Sequence, residues 1–279
     1  MMAIFLKPDA VHTWNGVKVN EYLLTKHNPN KIALPSKRAG ASIGVTLHNT
    51  NRINTAKGTT PAEQYLRATL NGNMGTVRVH LYVDSVCAWL GIPLDFTSWH
   101  AGQSGKADRH GSERGNALTI SIECIMNGSG DADDVKARDN AARLVAYLLD
   151  LYGGELYTHN YWCNVRNGKQ GTIDELNKRD DGYKNCPVFI RPEWDKFKSL
   201  VASYRERYAG LYYVQVGAFK NKANASAFLE TVKQEYPSAF IKQSDLYYVQ
   251  VGAFSSLKNA NAYLSAVKQD YPCAFIKAM

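Results

Sequence analysis

The last quarter of the chain contains an internal repeat, which restricts the possible folds more than any other feature. Leu211 to Lys242 aligns without gaps on Leu246 to Lys277 at an offset of 35 residues, with 22 identities in 32 pairs. Each copy has the pattern of a strand, a helix and a second strand, and one copy cannot bury its apolar side alone. The repeat predicts a ferredoxin-like βαβ-βαβ module over residues 211–279, with a four-stranded antiparallel sheet and two helices on one face.

The residues before the repeat, 1–208, alternate strand and helix patterns. Short apolar runs and capped helical periods predict these elements: strands at 42–50, 76–84 and 117–126, and helices at 60–71, at 131–152 and from Pro192. Ala209-Gly210 is the predicted domain boundary. This order predicts an α/β domain in which helices flank a mixed central sheet.

Three further predictions concern segments between these elements. The period of two over 76–84 predicts a half-buried strand with Arg78, His80 and Tyr82 on its polar face. The Gly-rich stretch 99–116 and the polar stretch 158–187 are predicted to be loops, because neither shows a helix or strand period. The stretch from Val17 to Leu24 fits either a short helix or a strand.

Composition limits the partner and the compartment. The net charge of +8 favours an anionic partner, such as nucleic acid, an anionic cell wall or a membrane surface. No apolar run approaches the roughly 18 residues of a membrane span, and the N-terminus lacks the pattern of a signal peptide. We expect synthesis in the cytoplasm without a signal peptide, and no membrane insertion.

Five side chains at irregular spacing are candidates for hydrolytic chemistry. His48 ends an apolar strand, Glu123 interrupts another, and His159, Lys184 and Cys186 lie in the polar stretch that follows. The odd number of cysteines argues against a disulfide framework and favours a single metal thiolate. A hydrolytic zinc site needs three protein ligands and one open position, which this set of residues can supply.

The order of motifs resembles a known family. The motifs are Leu47-His48-Asn49-Thr50, Val79-His80-Leu81-Tyr82-Val83-Asp84, Trp99-His100-Ala101-Gly102, Gly115-Asn116, Ile120-Ser121-Ile122-Glu123, His159 and Lys184-Asn185-Cys186-Pro187. Together they resemble the zinc-dependent N-acetylmuramoyl-L-alanine amidases of the type-2 class, which share the peptidoglycan-recognition-protein fold and include phage endolysins. The resemblance covers roughly residues 15 to 205.

The resemblance implies a role for each matching residue. It assigns His48, His159 and Cys186 to zinc, Glu123 to the general base and Lys184 to stabilisation of the transition state. It also implies that three residues line the substrate cleft: His80, His100 and Asn116. One departure is the insert 160–183, which separates His159 from the Lys-x-Cys-Pro motif more widely than in many family members and is a candidate substrate-contacting loop.

Other interpretations of these residues remain open on sequence alone. Cys163 and Cys186 could form a disulfide that closes the loop between them. Glu123 could be a structural carboxylate paired with Arg78 or Lys184. His80 could be a cleft or core histidine without a catalytic role.

The repeat resembles SPOR (sporulation-related) domains, which bind the glycan of septal peptidoglycan. The resemblance implies glycan binding by one sheet face, either Tyr213, Gln215, Tyr248 and Gln250 or else Tyr212, Val214, Tyr247 and Val249. Alternatively, these tyrosines cover the core or a dimer interface. RNA-binding modules of the same topology also expose aromatic residues on a sheet, although fusion to a wall amidase argues against a nucleic-acid partner.

Taken together, the resemblances imply a modular peptidoglycan hydrolase, an endolysin or autolysin acting on the bacterial cell wall. It would use zinc-activated water to cleave the amide between N-acetylmuramic acid and L-alanine. Two alternatives are a zinc peptidase that cuts within the stem peptide and a non-catalytic recognition protein.

Overall fold

A computed structural model describes residues 5–53, 58–102, 112–180, 184–207 and 211–278. Its contacts divide the chain into two compact units, Met1–Ala202 and Ser203–Met279. The division falls within the last helix of the first unit rather than at Ala209-Gly210, and each unit is described by itself.

The first unit contains a mixed sheet of seven strands. The strands are β1 (Ala10–Trp14), β2 (Val17–Glu21), β3 (Gly44–Thr50), β4 (Leu81–Val83), β5 (Ala88–Leu90), β6 (Thr119–Ile125) and β7 (Glu155–Thr158). Their spatial order is β1-β2-β5-β4-β6-β3-β7, in which β4, β6, β3 and β7 run parallel. This confirms the predicted α/β class, and the Val17 to Leu24 stretch is a strand for most of its length.

Six helices in the described part of the chain accompany this sheet. They are α1 (Pro61–Leu70), α2 (Ser112–Leu118), α3 (Ala132–Tyr152), α4 (His159–Arg166), α5 (Ile173–Lys178) and α6 (Trp194–Arg207), the last preceded by a 3-10 turn at Arg191–Glu193. Helix α3 begins at the Asp131 cap and ends before Gly153, whose φ of 75° suits glycine. Helix α1 begins at the Thr60 cap, whose hydroxyl oxygen accepts a hydrogen bond from the Glu63 amide (3.3 Å), and the Glu63 carboxylate accepts one from the Leu6 amide (2.9 Å).

The prediction of a half-buried strand over 76–84 is wrong in two respects. Strand β4 is limited to Leu81–Val83, and the residues on both of its faces are buried. The polar side chains tolerate burial because they are hydrogen bonded: Arg78 donates to the carbonyls of Ala33, Gly75 and Val77. A sheet that is covered on both sides has no solvent-exposed face, although a period of two implies one.

The prediction of uninterrupted loops at 99–116 and 158–187 is also wrong. Helix α2 occupies the end of the first stretch, whereas residues 103–111 lie outside the described part of the chain. Helices α4 and α5 occupy the second. Thr158 caps α4, and Thr172 forms a full capping box with Glu175 at the start of α5. These caps start helices that are too short to show a helical period.

The second unit has the architecture that the repeat predicts. Its elements are β8 (Tyr212–Phe219), α7 (Lys222–Val232), β9 (Phe240–Gln243), β10 (Tyr247–Phe254), α8 (Leu257–Asp270) and β11 (Phe275–Ala278). All strand pairs are antiparallel in the order β11-β8-β10-β9. The central pair is bulged on both sides of the register pair Gln215–Gln250.

No helix in the described ranges is long and apolar enough to cross a membrane.

Candidate metal centre

The site lies where three neighbouring parallel strands end. His48 is near the end of β3, and Glu123 is its register partner on β6. On the other side of β3, β7 ends at Thr158, so His159 begins helix α4 beside the same edge. Because the carboxyl ends of parallel strands meet at one edge, residues far apart in sequence converge there.

Cys186 reaches the site from the segment between α5 and α6. Its carbonyl accepts a hydrogen bond from the Asn160 amide (2.9 Å), which ties the segment to the first turn of α4. The Phe189 amide donates to Asn49 Oδ1 (3.0 Å) and ties the same segment to β3. These two bonds fix Cys186 against both histidine-bearing elements.

The donor atoms of His48, His159 and Cys186 lie within 4.8 Å of one another, and all three residues are buried. Cys186 Sγ is 3.6 Å from His48 Nδ1, and the two imidazole rings have centroids 4.8 Å apart. Nδ1 of His159 is buried and has no hydrogen-bond partner among the described residues. An orphaned nitrogen facing a thiol and a second imidazole fits a metal with nitrogen and sulfur ligands, as zinc is.

Burial determines the charge states of these three side chains. It lowers the pKa of His48 well below its usual value and that of His159 to about 3, so both rings are neutral near pH 7. Burial raises the pKa of the Cys186 thiol to about 12. A bound cation would therefore displace the thiol proton, and its affinity would rise with pH.

Glu123 and Lys184 stand next to this cluster. Burial raises the pKa of Glu123 to about 7, and the positive charge of Lys184 opposes that rise. Lys184 is exposed, and its charge also lowers the pKa values of His48 and His159, which places it close to the site. The alternative pairing of Glu123 with Arg78 is not found, since Arg78 binds three backbone carbonyls.

The three residues predicted to line the cleft have different positions. His80 is fully buried, with Nδ1 against Ser121 Oγ (3.0 Å) and Nε2 donating to the Phe96 carbonyl (3.0 Å), so it is a core residue and not part of a cleft wall. His100 is buried with Nδ1 at 2.9 Å from His48 Nε2. Asn116 Oδ1 accepts from the amides of His100 and Ala101 and so shapes this loop.

The cysteines are all free thiols, including Cys163 and Cys186, so the structure does not contain the disulfide that was left open. Cys186 is therefore available as a ligand.

In the second unit, the face opposite the helices contains the first of the two predicted residue sets. Gly217 and Gly252 approach Phe228 of α7 and Tyr263 of α8, which identifies the helix side. The other face, here called the open face, is built from paired repeat positions: Tyr213 and Tyr248, Gln215 and Gln250, Phe240 and Phe275, Lys242 and Lys277. Lys242 lies over the Tyr213 ring and Lys277 over the Tyr248 ring, at 4.0 and 3.6 Å.

Several contacts around the site have no counterpart in the sequence predictions. Trp162 Nε1 donates to Thr46 Oγ1 (2.9 Å) beneath His48, and the carbonyls of Gly102 and Gly115 contact ring nitrogens of His159 and His100. Backbone carbonyls carry no residue-specific signal. In the sequence, these carbonyl contacts are indicated only by the glycine-rich composition on both sides of residues 103–111.

The fold and site define an α/β protein with a buried His-His-Cys centre at the edge of its sheet. The family model described as N-acetylmuramoyl-L-alanine amidase matches residues 40–187, and the model described as SPOR domain matches residues 208–278. The first match spans more than half of the 279 residues, and the chain belongs to the N-acetylmuramoyl-L-alanine amidase family.

Individual relatives are bacterial. The chain is 30% identical over 158 residues to the N-acetylmuramoyl-L-alanine amidase XlyA of Bacillus subtilis (strain 168), covering 56% of this chain and 42% of that protein. It is 27% identical over 163 residues to CwlH of the same organism, covering 57% and 52%. The chain thus spans about half the length of the curated relatives it matches.

Among solved structures, that of PlyL is similar over 67% of this chain and 96% of its own, with 22% identity and a TM-score of 0.47. The peptidoglycan-binding domain of the B. subtilis cell wall lytic enzyme CwlC is similar over 24% of this chain and 90% of its own, with 36% identity and a TM-score of 0.21.

Proposed function

We propose that this protein is a peptidoglycan hydrolase that cleaves the amide between N-acetylmuramic acid and L-alanine. The observation that carries the proposal is the buried His48, His159 and Cys186 donor set beside Glu123. Membership of the amidase family and the names of the relatives agree with this reaction.

Zinc is the proposed cofactor, and His48, His159 and Cys186 would hold it. When bound, zinc supplies a Lewis acid that makes water nucleophilic near neutral pH. Three protein ligands leave a fourth tetrahedral position for a reactant, which distinguishes catalytic from structural zinc sites.

Glu123 is the proposed general base. It would accept the proton of the attacking water and deliver it to the leaving amine of L-alanine. A pKa of about 7 suits both steps, because a group that titrates near the working pH can accept a proton and also release it. Lys184 would stabilise the negative charge that develops on the carbonyl oxygen, since its positive charge already acts on His48, His159 and Glu123.

The second unit is the proposed wall-binding domain, with the glycan strand on its open face. Gln215 and Gln250 are buried there, and Oε1 of Gln215 and both amide atoms of Gln250 have no hydrogen-bond partner among the described residues. Sugar hydroxyls would satisfy such atoms, and sugar rings would replace Lys242 and Lys277 over the Tyr213 and Tyr248 rings. We assign residues 1–208 to catalysis and 211–279 to wall binding in an endolysin or autolysin that acts on the cell wall.

The nature of the new amino terminus tests the reaction. Purified peptidoglycan is digested with the full chain, and new amino termini are labelled and identified. We expect N-terminal L-alanine in wild type and at least about 100-fold less in the same time with Glu123→Gln. Another amine would indicate a zinc peptidase acting within the stem peptide, and no new amine in wild type would indicate a recognition protein.

A further inference from the structure

His100 is buried next to the metal centre, and neither of its ring nitrogens can face a metal held by the three ligands. Its Nδ1 lies 2.9 Å from His48 Nε2, and its Nε2 lies 3.1 Å from the Gly115 carbonyl oxygen. On the other side of His48, Nδ1 is the atom that faces Cys186 Sγ. These contacts form a continuous chain from a backbone carbonyl through two imidazole rings to the ligand cluster.

The chemistry of the groups fixes the direction of each hydrogen bond in this chain. A carbonyl oxygen only accepts, so His100 Nε2 carries a hydrogen. The Thr119 hydroxyl donates to the same carbonyl (2.7 Å), so its oxygen can only add a second acceptor 3.4 Å from His100 Nε2. In the neutral form of an imidazole one ring nitrogen donates and the other accepts, so Nδ1 of His100 accepts from His48 Nε2. His48 Nδ1 is then left with its lone pair toward Cys186.

His159 reaches the same state by a shorter path. Its Nε2 donates to the Gly102 carbonyl at 2.8 Å, and its Nδ1 is the orphaned buried nitrogen. Both histidine ligands therefore present Nδ1. One is oriented directly by a backbone carbonyl and the other through a second imidazole.

The surrounding residues hold His100 in this position. Asn116 Oδ1 accepts from the amides of His100 (2.8 Å) and Ala101 (2.7 Å). Gly115 packs so closely that a Cβ would lie 2.6 Å from the Ala101 Cβ and 2.9 Å from the Trp162 ring. A larger residue at position 115 would displace the carbonyl at which this chain of hydrogen bonds begins.

We propose that His100 is a positioning residue that holds His48 in the tautomer with hydrogen on Nε2 and thereby prepares Nδ1 as a metal ligand. The inference rests on the proposed zinc site, and it replaces the expectation that His100 contacts substrate. Loss of an outer partner of a metal-binding histidine costs about 10- to 100-fold in metal affinity.

Two isosteric variants separate this role from simple packing. In His100→Asn, Oδ1 stands at the position of Nδ1 and can still accept from His48. In His100→Gln, the amide stands at the position of Nε2, so the bond to Gly115 can form but the acceptor for His48 is lost. Zinc affinity of each full-length protein is measured by competition with a chromophoric chelator.

We expect zinc affinity to fall about 10- to 100-fold in His100→Gln and to stay within about threefold of wild type in His100→Asn. Equal affinity of His100→Gln and wild type, or equal losses in both variants, would overturn the role of His100. Absence of zinc uptake by the wild type would contradict the proposed zinc site rather than the tautomer assignment.

Long-range proton–nitrogen NMR of the metal-free wild type tests that assignment without any variant. The expected result is hydrogen on Nε2 of both His48 and His100. Hydrogen on Nδ1 of either ring would overturn the proposal, even if His100→Gln does not fold.

Discussion

The two units of this chain build their candidate sites in opposite ways. The candidate metal centre has one copy of each of its groups, from segments as far apart in sequence as His48 and Cys186. The open face of the second unit takes each group twice, because residues 35 positions apart occupy equivalent places in the two repeats. A site made of single members fails when one is lost, whereas a duplicated site can lose one half and keep the other.

The largest expected effect is at Glu123, which occurs once beside the candidate metal centre. Glu123→Gln removes the proposed base but keeps the shape of the side chain and all three ligands. We expect the turnover rate on peptidoglycan to fall about 10²- to 10⁴-fold with zinc content unchanged. Glu155→Gln, at an exposed position on β7, is the matched control and should retain full activity. Activity of Glu123→Gln within tenfold of wild type would exclude Glu123 as the base.

A duplicated site should show a smaller and symmetric effect. Tyr213→Ala and Tyr248→Ala, each made in a Glu123→Gln background to prevent digestion, should weaken binding to purified glycan strands by about five- to thirtyfold. Their effects should agree within about threefold, as measured by co-sedimentation.

Lys258→Ala, at an exposed position on helix α8, serves as the control for these two tyrosines and should bind like the parent. If Tyr248→Ala binds glycan strands like the parent and Tyr213→Ala does not bind them at all, the two repeats are not equivalent.

The two units should also differ in their response to acid. All seven histidines precede residue 211, and burial lowers the pKa of His80 to about 3. The unfolded chain binds a proton at this residue below about pH 6.5, whereas the folded chain does not until about pH 3, so stability falls as the pH falls through this window. For His80 alone the loss at pH 5 is about 2 kcal/mol.

Amide hydrogen exchange on the full chain can follow both units during this titration. Between pH 7 and 5, after correction for the intrinsic rate, protection should fall in the first unit and stay constant in the second. His80→Gln should make the pH dependence of the first unit shallower by about one proton. An unchanged slope in His80→Gln would contradict the assigned burial of a neutral imidazole.

The smallest expected effect tests where the repeats differ. Asn221 caps α7 through a bond from the Ala223 amide (2.7 Å), whereas Ser256 at the equivalent helix start makes no side-chain cap bond. Asn221→Ala should therefore cost about 1 kcal/mol of unfolding free energy in urea titrations, and Ser256→Ala close to nothing. Equal costs would mean that the two caps are equivalent in solution.

The difference between a repeated unit and a unit built from single segments also explains what the sequence could and could not predict. The repeat predicted the fold of the second unit because its apolar positions recur in register and the second copy covers the apolar side that one copy cannot bury alone. In the first unit, the order of motifs predicted His48, His159 and Cys186 as metal ligands, and the structure brings their donor atoms within 4.8 Å of one another. Helices α4 and α5 were missed because their lengths are too short for a helical period, although Thr158 and Thr172 mark their starts.

His80 and His100 were assigned to a cleft because sequence gives no measure of depth. In a sheet covered on both faces, the polar residues of a strand with alternating polar and apolar residues are buried too. Each of them then needs a hydrogen-bond partner, as His80 has in Ser121. The chain from Gly115 through His100 to His48 begins at a backbone carbonyl, and a backbone carbonyl is the same in every residue. Only the three-dimensional structure shows where it points.

The central claim is that one buried thiol and two imidazoles form a catalytic zinc centre. The most direct test is zinc content measured together with release of N-terminal L-alanine from peptidoglycan, for wild type, Cys186→Ser and Cys273→Ser. We predict about one zinc per chain and alanine release in wild type and in Cys273→Ser, whose thiol is exposed in the second unit, and the loss of both in Cys186→Ser. Full zinc content and activity in Cys186→Ser would contradict the account, because the third ligand would then lie elsewhere.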